Sequence, residues 1–174
     1  PVFELIKTLN QRIPDTATLI GFAGAPWTVI VYMIEGQSSK ECTLARLWAY
    51  KNPKSFKFLI DLITDATIEY LLNQISSGVH VIQLFDSWAG VLSEEQFKEW
   101  VIKPNKKIVG KIKSIYPDIP IIGFPRNAGS LYLDFAEQTN VDCINIDHSV
   151  SLAWAAKNLQ NILKVTITFH PITQ

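Results

Sequence analysis

Between residues 79 and 85 the chain reads Val79-His80-Val81-Ile82-Gln83-Leu84-Phe85, mostly β-branched or apolar and without a turn former. Ser76-Ser77-Gly78 stops the helical pattern before it, and Ser93-Glu94-Glu95-Gln96 after it has the spacing of a capping box. A strand that reads as a near-continuous apolar run is buried on both faces, and burial on both faces belongs to parallel sheets. Asp86 and Ser87 then stand at the carboxyl end of this strand. In sheets and barrels of alternating strands and helices, that edge is where ligands bind.

The rest of the chain repeats the alternation. Apolar residues at 2, 3, 5, 6 and 9 predict a short helix over residues 3–11, ended by Pro14. Residues 19–23 read as a strand, and Gly24-Ala25-Pro26 turns into a helix running to Glu35, with proline in the first turn where its missing N–H is no loss. Ser38 to Glu41 has capping-box spacing and predicts the start of a helix ending at Tyr50; Asn52-Pro53 opens another, with Phe56, Leu59, Ile60, Ile63, Leu71 and Ile75 on one face. A long helix is predicted from Glu94 to about Ile115, kinked at Pro104. Strands at 119–124, 143–146 and 165–169 alternate with helices at 130–139 and 151–159. Five strands separated by helices require right-handed crossovers and a parallel sheet. This spacing fits an open doubly wound sheet and part of a (β/α)₈ barrel equally. A complete barrel takes about 250 residues, so a chain of 174 residues, starting at Pro1 and stopping after a strand-like run, is expected to be a single, incomplete domain of something longer.

Composition narrows the function classes. Sixteen basic and sixteen acidic residues balance, which argues against a nucleic-acid or anionic-membrane partner. The longest apolar stretch, 23–34, is too short for a membrane span and contains Pro26. Cys42 and Cys143 are far apart, so a reduced, cytosolic protein is expected. No G-x-G-x-x-G or Walker loop is present. Asp147-His148-Ser149 cannot act as one relay, because consecutive strand residues point to opposite faces. The histidines and cysteines have no zinc-like spacing, and His80, inside a strand, is expected to be a satisfied core or barrel-exterior residue. Asp86 at a strand end reads either as a catalytic carboxylate or as a hydrogen-bonded loop aspartate.

Residues 19–28 (Leu-Ile-Gly-Phe-Ala-Gly-Ala-Pro-Trp-Thr), 32–36 (Tyr-Met-Ile-Glu-Gly) and 82–90 (Ile-Gln-Leu-Phe-Asp-Ser-Trp-Ala-Gly) closely resemble the uroporphyrinogen decarboxylase family. Gly123-Phe124-Pro125-Arg126 and Ile146-Asp147 continue the resemblance in order. It implies a partial (β/α)₈ barrel with a parallel sheet of about five strands, units three to seven of eight, from a cytoplasmic homodimer that uses neither metal nor organic cofactor. The implied reaction removes four acetate carboxyl groups from uroporphyrinogen III, giving coproporphyrinogen III in haem synthesis. Carried over by motif, Tyr32 and Ser87 are substrate-pocket residues. The family's arginine-rich segment, its catalytic aspartate and its Gly-His segment have no counterpart here. Gln37 and Asn127 stand where glycine is usual, and Thr168-Phe169-His170-Pro171 departs from the family's pattern. An inactive fragment, or a corrinoid or thiol methyltransferase of the same superfamily, are the rival readings. With few anchors left, the edge is expected to offer two neutral donors, Tyr32 and Ser87, beside aspartates of the wrong sign at 86 and 147, with the role of Arg126 open.

Overall fold

The computed structural model describes residues 1–37, 39–163 and 165–168, the last four by backbone only. Helix α1 (Val2–Asn10) leads to strand β1 (Ile20–Gly24), followed by α2 (Pro26–Glu35), α3 (Thr43–Lys51) and the long α4 (Pro53–Ser76). Strand β2 (Val81–Asp86) precedes a short 3₁₀ turn (Ala89–Val91) and α5 (Glu94–Phe97). A π-helical turn (Lys98–Ile102) joins α5 to α6 (Lys103–Ile115). Then come β3 (Ile121–Pro125), α7 (Leu131–Thr139), β4 (Cys143–Ile146), α8 (Leu152–Asn158) and β5 (Val165–Thr168).

Local chemistry accounts for these boundaries. Pro26 opens α2, and Gly36, in the left-handed region at φ 69°, closes it by donating its N–H to Tyr32 O. The predicted box at residues 38–41 does not start the next helix; its Ser38 lies outside the described residues. Instead α3 starts after Cys42, whose φ is 48°, and the Glu35 carboxylate accepts from Leu44 N at 2.8 Å and Ala45 N at 3.1 Å. One helix therefore caps the next. At the box predicted around Ser93 the N-cap half forms, the Ser93 hydroxyl accepting from Gln96 N at 3.5 Å. The long helix is broken not by a simple kink but by the π turn immediately before Pro104. Proline cannot donate and its ring crowds the preceding turn, so widening that turn accommodates it.

All neighbouring strands pair in parallel and in chain order, β1-β2-β3-β4-β5. A doubly wound sheet reverses its strand order at a switch point; this one does not, and it has the winding of a barrel wall. Ile82, Leu84, Ile144 and Ile146 point into the helix layer and are 0–1% exposed. Gly21 and Gly123 point the same way: a Cβ at Gly21 would lie 2.7 Å from Gln74 Oε1 of α4, and one at Gly123 would lie 2.5 Å from the Phe135 ring of α7. The opposite face carries Phe22, Phe85 and Phe124, packed edge to face across three strands at 5.9 and 6.1 Å. Ile20 and Phe22 on β1 are well exposed. Among the described residues β1 has no strand on its outer side. There the Gln74 side chain accepts from Phe22 N at 3.1 Å and donates to Phe22 O at 2.9 Å.

His80 is not inside a strand. It is exposed just before β2, where Nδ1 accepts from Leu19 N and Nε2 meets Asn10 Oδ1. It therefore ties α1 and the start of β1 together at the amino edge of the sheet, away from the ligand-binding edge.

Candidate functional site at the carboxyl edge

The carboxyl ends of β1 to β4 lie along one edge, and the loops above it are joined to each other. Ala25 N donates to Phe85 O at 2.8 Å, Arg126 N to Asp86 O at 3.1 Å, and Gly90 N to Arg126 O at 3.0 Å. The loops after β2 and β3 meet so closely that a Cβ on Gly90 would lie 2.4 Å from Asn127 O. Only glycine allows that approach. Asn127 itself is in the left-handed region at φ 59°, a conformation asparagine tolerates better than most residues.

This junction floors a cleft of about 250 Å³ lined by Lys40, Ser87, Trp88, Gly90, Val91, Arg126 and Asn127. Ser87 is half-buried at its rim. Tyr32 is 48% exposed on α2, and its ring packs edge to face on Trp88 at 6.1 Å. Trp88 thus joins Tyr32, which packs on it but does not line the cleft, to the wall that it shares with Ser87. Within the described residues neither the Ser87 nor the Tyr32 hydroxyl has a hydrogen-bond partner, and neither Lys40 nor Arg126 is in an ion pair. Donors left unused by the protein are free for a ligand.

The two aspartates at this edge do not face the cleft as wrong-sign charges. Asp86 is 1% exposed and sits below the edge, in the helix layer. Thr28 on α2 donates its hydroxyl to Asp86 Oδ1 at 2.7 Å and accepts from Trp88 N at 3.4 Å. Burial pushes the Asp86 carboxyl up to about 7, and hydrogen bonding from Thr28 and Asn105 offsets only part of that rise. Of the two sequence readings, the geometry supports the hydrogen-bonded structural aspartate. Asp147 is 7% exposed and fully engaged. Its Oδ2 accepts from Asn127 N and from Tyr132 Oη at 3.1 Å, and its Oδ1 from Ser149 N at 2.9 Å. Burial raises its pKa, but these hydrogen bonds outweigh burial and hold the carboxyl below its ordinary value. Burial, then the Asp147 charge, pushes the Tyr132 phenol well up. Ser149 Oγ accepts from Gly129 N and His148 is exposed, so the Asp-His-Ser run forms no relay. With one aspartate buried and the other turned inward, the charges lining the cleft are the cations of Lys40 and Arg126.

Residues 1–168 match the family profile described as uroporphyrinogen decarboxylase (URO-D). The chain belongs to the uroporphyrinogen decarboxylase family. It is 48% identical over 172 residues to uroporphyrinogen decarboxylase of Rhodospirillum rubrum, covering 99% of this chain and 49% of that protein. The uroporphyrinogen decarboxylase of Jannaschia sp. is 49% identical over 92% of this chain and 47% of its own length. That of the Wolbachia of Brugia malayi is 51% identical over 92% and 45%. The chain thus spans about half the length of the curated relatives it matches. Among solved structures, a methyltransferase from Methanosarcina mazei superposes with a TM-score of 0.80 at 16% identity, covering 99% of this chain and 49% of that one. At that identity the likeness speaks for the fold, which this uroporphyrinogen decarboxylase relative shares with a methyltransferase.

Three residues of this edge are not among the candidates that the sequence offers. Lys40 lies in a polar loop with no signal. Thr28 and Asn105 had one each: Thr28 is one helical turn before Tyr32, and Asn105 is a polar residue in the 101-105-108-112 series that forms the buried face of α6.

Proposed function

We propose that the cleft at the carboxyl edge takes a porphyrinogen carboxylate, and that the full-length protein removes the four acetate carboxyl groups of uroporphyrinogen III to give coproporphyrinogen III. The observation that carries this reading is a cleft lined by Ser87, Lys40 and Arg126, whose donors the described protein leaves unused, with Tyr32 packed on its Trp88 wall, in a chain of the decarboxylase family. A substrate with many carboxylates needs cations to draw it in and oriented hydrogen bonds to hold one carboxylate in register. The Lys40 and Arg126 cations serve the first need. The Ser87 and Tyr32 hydroxyls serve the second, donating to carboxylate oxygens without offering a charge that would trap the product.

Protonation of a pyrrole ring turns it into an electron sink. The bond between the acetate methylene and its carboxyl carbon then breaks, its electron pair moves into the ring system, a proton takes the place of the departing carbon dioxide, and the ring gives back the proton it took. No metal or organic cofactor is required for that electron flow. The site described here supplies binding and orientation; a group to stabilise charge beside the pyrrole nitrogens is the other half of what the chemistry requires. The activity is therefore proposed for the full-length protein, as a cytoplasmic homodimer. The test is coproporphyrinogen formation. The 174-residue chain alone is expected to give no detectable product, whereas Ser87→Ala and Tyr32→Phe in the full-length protein each lower turnover with circular dichroism unchanged. Full activity of both variants would overturn the site assignment.

A further inference from the structure

Trp27 is fully buried, and its indole faces two ways. The ring packs on Phe56 of α4 at 5.9 Å, and Phe56 in turn meets Trp48 of α3 at 5.8 Å and Trp100 of the π turn at 5.1 Å. The polar atom leaves that aromatic cluster: Nε1–H donates to the Trp88 carbonyl at 2.9 Å. Packing uses the ring and not the N–H, so the second contact is a separate role. Trp88 lies two residues beyond the end of β2 and just before the 3₁₀ turn, so no strand ladder holds its peptide. The bonds that do hold it are few. Its N–H donates to Thr28 Oγ1 at 3.4 Å, and its carbonyl accepts from Val91 N at 3.4 Å beside the shorter bond from Trp27.

We propose that Trp27 is a positioning residue for the cleft: its indole N–H fixes the Trp88 carbonyl, and with it the Ser87 hydroxyl and the Trp88 ring, against the aromatic cluster of the helix layer. The start of α2 is stitched to the exit of β2 at three places. Ala25 N holds Phe85 O at 2.8 Å, the Thr28 hydroxyl holds Asp86 Oδ1 at 2.7 Å, and Trp27 holds Trp88 O. Ser87 stands between tied neighbours and keeps an unused hydroxyl at the cleft rim. Such a hydroxyl can meet a ligand in register only if the peptides beside it do not turn, because a turn of either swings Oγ away from the cleft. The Tyr32 ring, carried by the same helix, packs on the Trp88 ring. One helix therefore sets both hydroxyls. Trp27 is not among the residues lining the cleft, so it acts through Trp88 and Ser87.

The test compares Trp27→Phe, which keeps an aromatic ring and removes the donor, with Trp27→His, whose neutral Nε2–H takes the place of the indole N–H on a ring that fills less space. In the 174-residue chain, Trp27→Phe is expected to speed hydrogen exchange of the Trp88 and Gly90 amides about tenfold relative to those of α4. Trp27→His is expected to return most of that protection although it packs worse. A packing role ranks the two the other way, with Trp27→Phe nearer the unmodified chain at every amide, and that ranking overturns the proposal. In the full-length protein the inference rests on the activity proposed above. There Trp27→Phe is expected to lower kcat/KM for uroporphyrinogen about tenfold, and to lower it little further once Ser87 is replaced by alanine. Equal losses in both backgrounds overturn the positioning role. Full turnover in Ser87→Ala overturns the proposed function instead, and the exchange ranking then decides for Trp27. Should Trp27→Phe fail to fold, Trp27→His decides against the unmodified chain. Protection kept at Trp88 and Gly90 while α4 loosens supports the proposal, and a loss there as large as in α4 sinks it.

Discussion

Asp86 and Asp147 occupy equivalent places, each just at the carboxyl end of a strand and each more than nine-tenths buried, yet their charges are driven in opposite directions. Asp86 receives one hydroxyl and rises to about 7. Asp147 receives two backbone N–H groups and a phenol and is held below its ordinary value. Burial raises both, but it weighs more on the fully enclosed Asp86, while Asp147 has more fixed donors; the two differences together set the charges apart. The loop after β4 is built around an anion, and the end of β2 is built around a group that need not be one. A rise from 3.8 to about 7 corresponds to roughly 4 kcal/mol between the two protonation states, enough to make the charged form of Asp86 the weak point of the frame at high pH.

Five experiments can break or sharpen this contrast, and the largest effect is expected at Asp147. Asp147→Ala removes three accepted bonds and leaves the Asn127 N–H and the Tyr132 hydroxyl without their acceptor, a loss of about 4 kcal/mol in urea unfolding; a loss below about 1 kcal/mol would show the anion to be incidental. Next is Gly90→Ala, whose Cβ meets the Asn127 backbone and should cost about 2 kcal/mol by forcing the loops apart, read as lower thermal stability and increased proteolysis near Asn127. Unchanged stability would mean that the two loops are not locked together.

Thr28→Val should cost about 1 kcal/mol, with a size that depends on pH. The charged form of Asp86 depends on that hydroxyl more than the neutral form does, so the loss should be larger at pH about 8 than at pH about 5. Equal losses at both would count against a titrating Asp86. The linkage runs oppositely for the two aspartates. Because the folded pKa of Asp86 is raised, its contribution is full below 3.8 and declines as pH climbs towards about 7. Because that of Asp147 is depressed, its contribution is full above 3.8 and is lost on acidification through the lowered folded pKa. Asp147→Asn should therefore lower stability at neutral pH and flatten the acid limb of the stability profile, leaving the slope of the neutral region unaltered. The smallest effects on stability, under about 0.5 kcal/mol, are expected for Tyr32→Phe and Ser87→Ala, whose hydroxyls bond nothing in the described protein. A large loss for either would show its hydroxyl to be part of the frame.

The same contrast explains what could be read from sequence. The unbroken apolar run of β2 declares a strand covered on both sides, and the helices between strands require parallel pairing. Both are properties of contiguous residues. Whether the sheet reverses its order is a relation between strands, and the spacing left it open. The charges of the aspartates were equally out of reach. Asp86 is satisfied by Thr28, 58 residues away, and Asp147 by Asn127, 20 residues away; periodicity carries no trace of either pairing. His80 was misplaced for a related reason: a histidine within an apolar run looks like part of the strand, whereas its ring is occupied by Leu19 N and Asn10 at the entrance.

Gln74 has a consequence for how this sheet could grow. Its carboxamide presents one acceptor and one donor to Phe22, as a peptide group of a neighbouring strand would, and Gly21 leaves the room for it. The open side of β1 is therefore plugged at that residue by a side chain imitating backbone. An incoming strand must evict the plug, trading two bonds for two, so hydrogen bonding there gives no net pull. Recruitment has to come from covering the exposed Phe22 ring and the apolar trough of Val29, Ile63, Ala66 and Tyr70 beside it. Glutamate at position 74 would hold the N–H and repel the carbonyl, loosening the plug at half its grip and making the rim easier to pair.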